Sequence, residues 1–334
     1  MKIYRYLYIS LLVVIISIAD SVNAQDPHFS QFYANYLYLN PAFAGAVRCP
    51  RMTLNYRNQW PALGSAYVTY SASYDQHVDE LEGGLGALLI NDVQADGAIT
   101  TTIINGIYTY TLNVNRTLSI TGGFQATYIQ KKLNWDFIFP DMMHPLYGPI
   151  FPTHEDFVPT DKKIGIWDFS TGFIGFTRRY FGGIACHHLT EPQESWRNSS
   201  SPVLPRKWTV HFGTEIPLRA RRFKRGELSI SPNILFQQQQ NYQQMDYGIY
   251  LNRNSIVGGI WMRHNVFGKL APHADSFIML LGFIQSKIKF AYSYDLTISK
   301  LKNSTLGAHE VSFSMIFNCR QKRKKFRSIS CPSF

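Results

Sequence analysis

Residues 118–128 read Leu118-Ser119-Ile120-Thr121-Gly122-Gly123-Phe124-Gln125-Ala126-Thr127-Tyr128. Leu118, Ile120, Gly122, Phe124, Ala126 and Tyr128 share one face, and Ser119, Thr121, Gly123, Gln125 and Thr127 share the other. A period of two is that of a β-strand, whose successive side chains point to opposite sides. An apolar, aromatic-tipped face opposite a small polar one suits a strand with lipid on one side and a wet lumen on the other. The same alternation recurs outward from this stretch. Ile104, Gly106, Tyr108, Tyr110 and Leu112 alternate with Asn105, Ile107, Thr109, Thr111 and Asn113, and Ile288, Phe290, Tyr292 and Tyr294 with Lys289, Ala291, Ser293 and Asp295. Val311, Phe313, Met315 and Phe317 alternate with Glu310, Ser312, Ser314 and Asn318.

Read this way, the chain predicts strands near 51–59, 66–75, 83–91, 99–113, 117–131, 166–176, 179–189, 207–217, 226–237, 243–252, 255–264, 275–284, 287–297 and 307–318. That is about fourteen, an even number as a single-chain bacterial barrel requires. The links Asn115-Arg116, Thr177-Arg178, Asn252 to Asn254 and Gln285-Ser286 are tight, whereas Lys132 to Gly165 and Thr190 to Arg206 are long and fall on the opposite side. Short periplasmic turns and long external loops are the expected division. Links after the second and eighth strands are longer than that rule asks. The segments 179–189 and 255–264 alternate poorly, and Pro232 implies a bulge or register shift in its strand. Unpaired edges cannot face hydrocarbon. The strands near 51 and 318 are therefore expected to pair, closing an all-β, antiparallel transmembrane barrel.

Composition agrees. Charged residues make up 16% of the 334, against roughly 25% in a typical soluble domain, while Tyr (20) and Phe (23) are abundant. Amphipathic rings are what anchor a barrel at its two interfaces. At the start, Lys2 and Arg5, an apolar run from Tyr8 to Ala19 and Val22-Asn23-Ala24 read as a secretory leader cleaved before Gln25. The run is shorter than the roughly 20 residues of a spanning helix. The layout expected is a leader at 1–24, an N-terminal plug or periplasmic segment at 25–50, the barrel at 51–318 and a basic periplasmic tail at 319–334, in the outer membrane with both termini periplasmic.

The segment from Asp26 to Gly45 is polar and aromatic, lacks alternation, and breaks at Asn40-Pro41 and at Gly45. A short helix ending near Asn40 fits, tucked into or under the barrel, where its rings find cover and obstruct the lumen. His309-Glu310 and His187-His188 invite a metal or catalytic reading, but adjacent strand residues point to opposite faces and do not chelate as a unit. No nucleophile, base and orienting acid stand out, and Gly83-Gly84-Leu85-Gly86 and Gly258-Gly259 do not sit between a strand and a helix as a phosphate loop would. No catalytic, metal or cofactor site is assigned. Gln237 to Gln240 with Gln243-Gln244 reads as a polar external loop. The inferred lumen carries Arg57, Lys287, Lys289 and Arg263 with Asp75, Asp168, Glu215, Asp246, Asp295 and Glu310, charges tolerated only where they pair or meet water. In a closed barrel the start of the first strand and the end of the last are neighbours, so Cys49 is expected to pair with Cys319, with Cys331 as an alternative partner for either.

The net charge of +11 is matched by two clusters: Arg219, Arg221, Arg222, Lys224 and Arg225 after the eighth strand, and Arg320, Lys322, Arg323, Lys324, Lys325 and Arg327 after the last. Both fall on the short-turn side, where charge of one sign steers acidic partners within a Debye length of roughly 8 Å or meets lipid phosphates.

Asp26-Pro27-x-Phe29-Ser30-Gln31, then Asn40-Pro41-Ala42-x-Ala44-Gly45 and Tyr56-Arg57-Asn58-Gln59-Trp60-Pro61, resemble the start of the PorP/SprF family of type IX secretion system membrane proteins. The end agrees in Tyr292-Ser293-Tyr294-Asp295, Gly307-Ala308-His309-Glu310 and Cys331-Pro332-Ser333-Phe334, with Ala308 where the family usually has Ser. The resemblance runs from about residue 25 to the terminus. It implies a non-enzymatic outer-membrane barrel that works with a periplasmic ring and a peptidoglycan-binding partner, and serves the export and surface attachment of a cognate protein with a C-terminal sorting domain, often a large gliding adhesin. No nucleic-acid partner is implied. An alternative of a different class is a plugged transporter of hydrophobic small molecules, because long-chain fatty acid channels also have about fourteen strands and an Asn-Pro-Ala element, here Asn40-Pro41-Ala42. The Tyr-Arg-Asn-Gln-Trp and terminal motifs stand against it.

Overall fold

The computed structural model describes residues 26–63, 67–134, 138–154, 162–194, 203–218, 228–266, 274–298 and 305–319. The expected leader at 1–24, both basic clusters and Cys331 lie outside the described residues.

Alternation becomes wall. The strands are β1 (Arg51–Gln59), β2 (Tyr67–Val78), β3 (Gly83–Gln94), β4 (Ile99–Asn113), β5 (Ser119–Leu133), β6 (Lys163–Phe176) and β7 (Tyr180–His187). They continue as β8 (Lys207–Thr214), β9 (Leu228–Gln239), β10 (Tyr242–Arg253), β11 (Ile256–Asn265), β12 (Ala274–Gln285), β13 (Ile288–Thr297) and β14 (Ala308–Ile316). Each pairs antiparallel with its sequence neighbour. The ring shuts where Arg51 to Gln59 of β1 pair in register with Ile316 to Ala308 of β14. Closure satisfies both edges of the sheet, which hydrocarbon would otherwise leave without partners.

In β5, Ser119, Thr121, Gly123, Gln125 and Thr127 are buried, while Ile120 and Phe124 are exposed. Outward rings gather at both rims. Tyr56 meets Tyr70, Trp60 meets Tyr67 and Tyr128 meets Trp167 near the long-loop end. Tyr74, Tyr108, Tyr110 and Tyr180 face outward toward the other. The turn between β4 and β5 is fixed by Asn115, whose side-chain oxygen accepts from the backbone N–H groups of Thr117 and Leu118 at 2.8 and 2.7 Å.

Pro232 interrupts the wall without shifting its register. Gly213 pairs with Asn233 and Ile216 with Ile230, leaving Thr214 and Glu215 opposite Pro232 and Ser231 with no ladder between. Proline lacks the N–H that a rung needs. Three other expectations are corrected. Gln237, Gln239 and Gln244 are not in an external loop; β9 and β10 run on to Gln239 and Tyr242, and these three side chains are buried on the lumenal face. Lys287 is not lumenal either, because it sits exposed in the turn between β12 and β13, bonded to Asn318. His188 does not point away from His187: it lies one residue past the end of β7 with φ 58°, which turns its ring inward as well, so both rings are buried.

Candidate functional site: the N-terminal segment and the inner wall

From Phe29 to Ala44 the chain is almost entirely buried. It enters at the long-loop end, where Asp26 meets the residues that follow β7 and open β8, and leaves at the short-turn rim, where Cys49 is joined to Cys319 beyond β14. A helix of four residues, α1 (Tyr36–Leu39), is followed by a tight turn over Pro41–Phe43. The helix ends at Asn40 because proline follows, and Asn40 is extended with its side-chain oxygen accepting from the Ala42 N–H at 2.9 Å.

That turn is received by glycines. A Cβ on Gly172 would stand 2.1 Å from the Asn40 side-chain oxygen, one on Gly123 2.5 Å from the Ala42 nitrogen, and one on Gly84 2.4 Å from the Ala44 carbonyl. Only bare backbone lets the segment come this close. Asn40 Nδ2 donates to the carbonyls of Phe173 and Ile184, each at 3.3 Å, and Thr109 donates to the Ala44 carbonyl at 2.9 Å. Gly45, at φ 69°, donates its N–H to Asp75, which also accepts from Tyr36 and pairs with Arg51 at 3.0 Å.

Above the turn, rings pack against the inner wall. Tyr33 packs edge-on to Phe181 and Tyr250, Phe32 edge-on to Trp261, and Phe43 stacks on His211. These contacts explain why β7 and β11 alternate poorly: Phe181 and Trp261 face inward to meet the segment's own rings. The reading of the sequence missed His211, whose Nε2 lies 3.3 Å from Asn40 Nδ2; its place at an inward position of β8 was the available signal.

The charged junction lies nearer the long-loop end. Arg57 pairs with Glu310 at 3.0 Å and Asp295 at 3.1 Å, and Arg263 with Asp246 at 3.1 Å and Asp295 at 3.2 Å, all buried. Ser30 sits among them. Its hydroxyl donates to Asp295 and accepts from Arg57 at 2.7 Å and Arg263 at 2.9 Å, while its N–H donates to Glu310 at 2.7 Å. Gln31 donates to Ser293 and to the Glu310 backbone and side chain, and accepts from Ser312 at 2.6 Å. Two guanidinium groups facing three carboxylates in a low-dielectric interior are stable only when each has such partners.

At the mouth, His188 lies between Asp168 at 2.8 Å and Asp26 at 2.9 Å, with Lys207 3.6 Å from Asp26. Burial works against the His188 imidazolium, but the Asp26 carboxylate and the bond to Asp168 outweigh it and raise the pKa to about 9. Burial likewise opposes charge on Asp26, yet His188 and Lys207 hold its carboxyl well below the usual range. For His28, burial followed by Arg263 and Arg57 lowers the pKa, and its Nε2 lies 3.0 Å from Gln244 Nε2.

The motifs read from the two ends of the sequence thus meet in one place. Ser30-Gln31, Arg57, Asp295 and Glu310 are a single network, and Asn40, Pro41 and Gly45 seat the same segment below it. Not every motif residue joins. His309 faces outward, its Nδ1 2.7 Å from the Tyr292 hydroxyl and its ring against Tyr294, and the backbone N–H of Trp60 donates to the Gly307 carbonyl at 2.8 Å at a rim turn. Arg219, Arg221, Arg222, Lys224, Arg225 and Lys322 to Lys325 lie outside the described residues.

A family model described as type IX secretion system membrane protein PorP/SprF matches residues 21–315. The chain belongs to this family. No curated protein matches it. Among solved structures, PorP/SprF architecture here is similar to the toluene transporter TbuX of Ralstonia pickettii, at 10% identity over 84% of this chain and 93% of that one, TM-score 0.48. It is also similar to a Pseudomonas aeruginosa FadL homologue, at 11% identity over 84% and 93%, TM-score 0.44. A third is BamA from Haemophilus ducreyi lacking POTRA domains 1–3, at 9% identity over 81% and 71%, TM-score 0.41.

Proposed function

We propose that the chain is a plugged, non-enzymatic outer-membrane component of the type IX secretion system, with its short turns in the periplasm, that supports secretion and surface attachment of a cognate protein bearing a C-terminal sorting domain. The observation that carries this reading is the junction of Ser30 and Gln31 with Arg57, Arg263, Asp295 and Glu310, in a chain of the PorP/SprF family. Binding energy here is spent on fixing the chain's own segment across the lumen, which suits a closed anchoring part more than a conduit. Residues 26–45 act as the plug. The partners are the periplasmic ring, the peptidoglycan-binding protein and the cognate adhesin, approached at the short-turn face, where the basic clusters supply long-range attraction.

The test replaces Lys322, Arg323, Lys324 and Lys325 with Glu in cells that otherwise lack the protein. Membrane insertion and the gel shift on boiling should persist, while recovery of the periplasmic partner and release of the cognate adhesin fall several-fold. Normal levels of both would remove the tail from the docking surface. Normal secretion in cells lacking the whole chain would overturn the function itself.

A further inference from the structure

Between the N-terminal segment and the inner wall of β3–β7, a slot of about 60 Å3 runs down from the long-loop end. Its chemistry changes in layers, because neighbouring strands set like residues side by side. At the mouth Asp92 pairs across the ladder with Thr101, and Thr101 with Lys131, which is joined to Glu194; Lys131 and Glu194 are half-buried. Two residues deeper, Ile90, Ile103 and Ile129 form an apolar row, against which Leu204 packs. At the buried floor Gln125 pairs with Ser170, and the rung from Thr171 to Cys186 sets Ser170 beside His187. The slot is blind. Two residues below Gln125, Gly123 and its ladder partner Gly172 lie against Ala42 and Asn40 of the tight turn.

The lining selects its occupant. Gln125 donates its amide to Asn105 at 2.9 Å and to Thr127 at 3.1 Å, while its Oε1, like His187 Nε2, is buried with no hydrogen-bond partner among the described residues. An orphaned buried acceptor calls for a donor, and a carboxylate has none to give. Lys207 stands across the ladder from His187 and opposes an ammonium at the floor. The described charges that line the slot already balance, with Asp26, Asp92 and Glu194 against His188, Lys131 and Lys207. An ion would therefore enter without a counter-charge. Water would satisfy the floor but not the isoleucine row, which favours an alkyl group. At roughly 10–15 Å3 for each water-sized atom, the slot takes about four to six non-hydrogen atoms.

We propose that this slot binds a small neutral amphiphile, a short alkyl stem ending in a primary amide or hydroxyl, with the head on Gln125 and His187 and the stem along Ile90, Ile103 and Ile129. The experiment is saturation-transfer NMR of butyramide with the detergent-solubilised full-length protein, titrated beside its charged counterparts butyrate and n-butylammonium. Butyramide should bind wild type about tenfold more tightly than either ion. Gln125→Leu keeps the bulk of the side chain but removes the acceptor, and should weaken butyramide binding about tenfold, the upper end of what one hydrogen bond contributes. Ile103→Trp fills the slot and should abolish specific transfer. Ile104→Trp, one residue along β4 but outward and exposed, is the control and should bind as wild type does. The boiling shift establishes that each variant is folded. Equal transfer to folded Ile103→Trp, equal affinity for the three probes, unchanged binding in Gln125→Leu, or no transfer to folded wild type would each overturn the assignment. The readout is a ligand on the purified barrel, so its failure leaves the secretion test in cells untouched, and the reverse holds as well.

Discussion

His188 shows how much a single backbone angle decides. As a strand residue it would have pointed away from His187; at φ 58° it turns inward and bridges Asp168 on β6 to Asp26 on the N-terminal segment. Its pKa is raised from the ordinary 6.5 to about 9, so its contribution to stability is fully present below pH 6.5 and is lost as pH rises through about 9. Asp26 is shifted the other way and contributes above the ordinary carboxylate range. His188→Gln should therefore destabilise the detergent-solubilised barrel at pH 6 by on the order of a few kcal/mol, seen as a lower thermal midpoint. The gap to wild type should close as pH passes 9. A gap that stays constant from pH 6 to pH 10 would show that His188 acts by shape and not by charge.

At the scale of the element, the N-terminal segment is not a helix or a strand that could stand alone. Four helical residues are far below the length at which a helix is stable in water, so its shape is imposed by what surrounds it: Gly84, Gly123 and Gly172 below, the Arg57 and Arg263 network above. In planar bilayers the intact protein should give little steady conductance, and deletion of residues 26–45 should give stable unitary currents. Gly172→Val, whose Cβ would collide with Asn40, should give intermittent openings by unseating the turn while leaving the strands paired. Large, stable currents from the intact protein would refute the assignment of these residues as a plug. The sequence offered only the outline of this element. The break at Asn40-Pro41 marks where the helix stops, because proline acts locally on its neighbour, whereas the glycines that receive the turn are scattered over three strands and nothing local marks them as its seat.

For the whole molecule, closure rests on the backbone ladder between β1 and β14, with the Cys49–Cys319 link, 270 residues apart in sequence, lying just beyond it. The two are separable. Cys49→Ser should keep the boiling-dependent gel shift, since every strand still pairs, but lower the stability to urea by about 5 kcal/mol if restriction of the unfolded chain is the main effect of so long a loop. Loss of the folded band on reduction alone would show that the ladder does not close the barrel unaided. The sequence by itself determined the strands, their number and, where alternation is clean, which face meets lipid, because a period of two is set by local geometry and a one-residue slip would put every polar residue into hydrocarbon. It also carried the motifs of the family. What only the tertiary structure decided is how those motifs combine: Ser30, Arg57, Asp295 and Glu310 are up to 280 residues apart, and nothing local in any of them records the others. The same reason accounts for the inward Phe181 and Trp261 and the lumenal glutamines, which broke the pattern in the sequence. A position facing the lumen answers to whatever fills it, here a segment from the other end of the chain, and only closure of the barrel brings the two together.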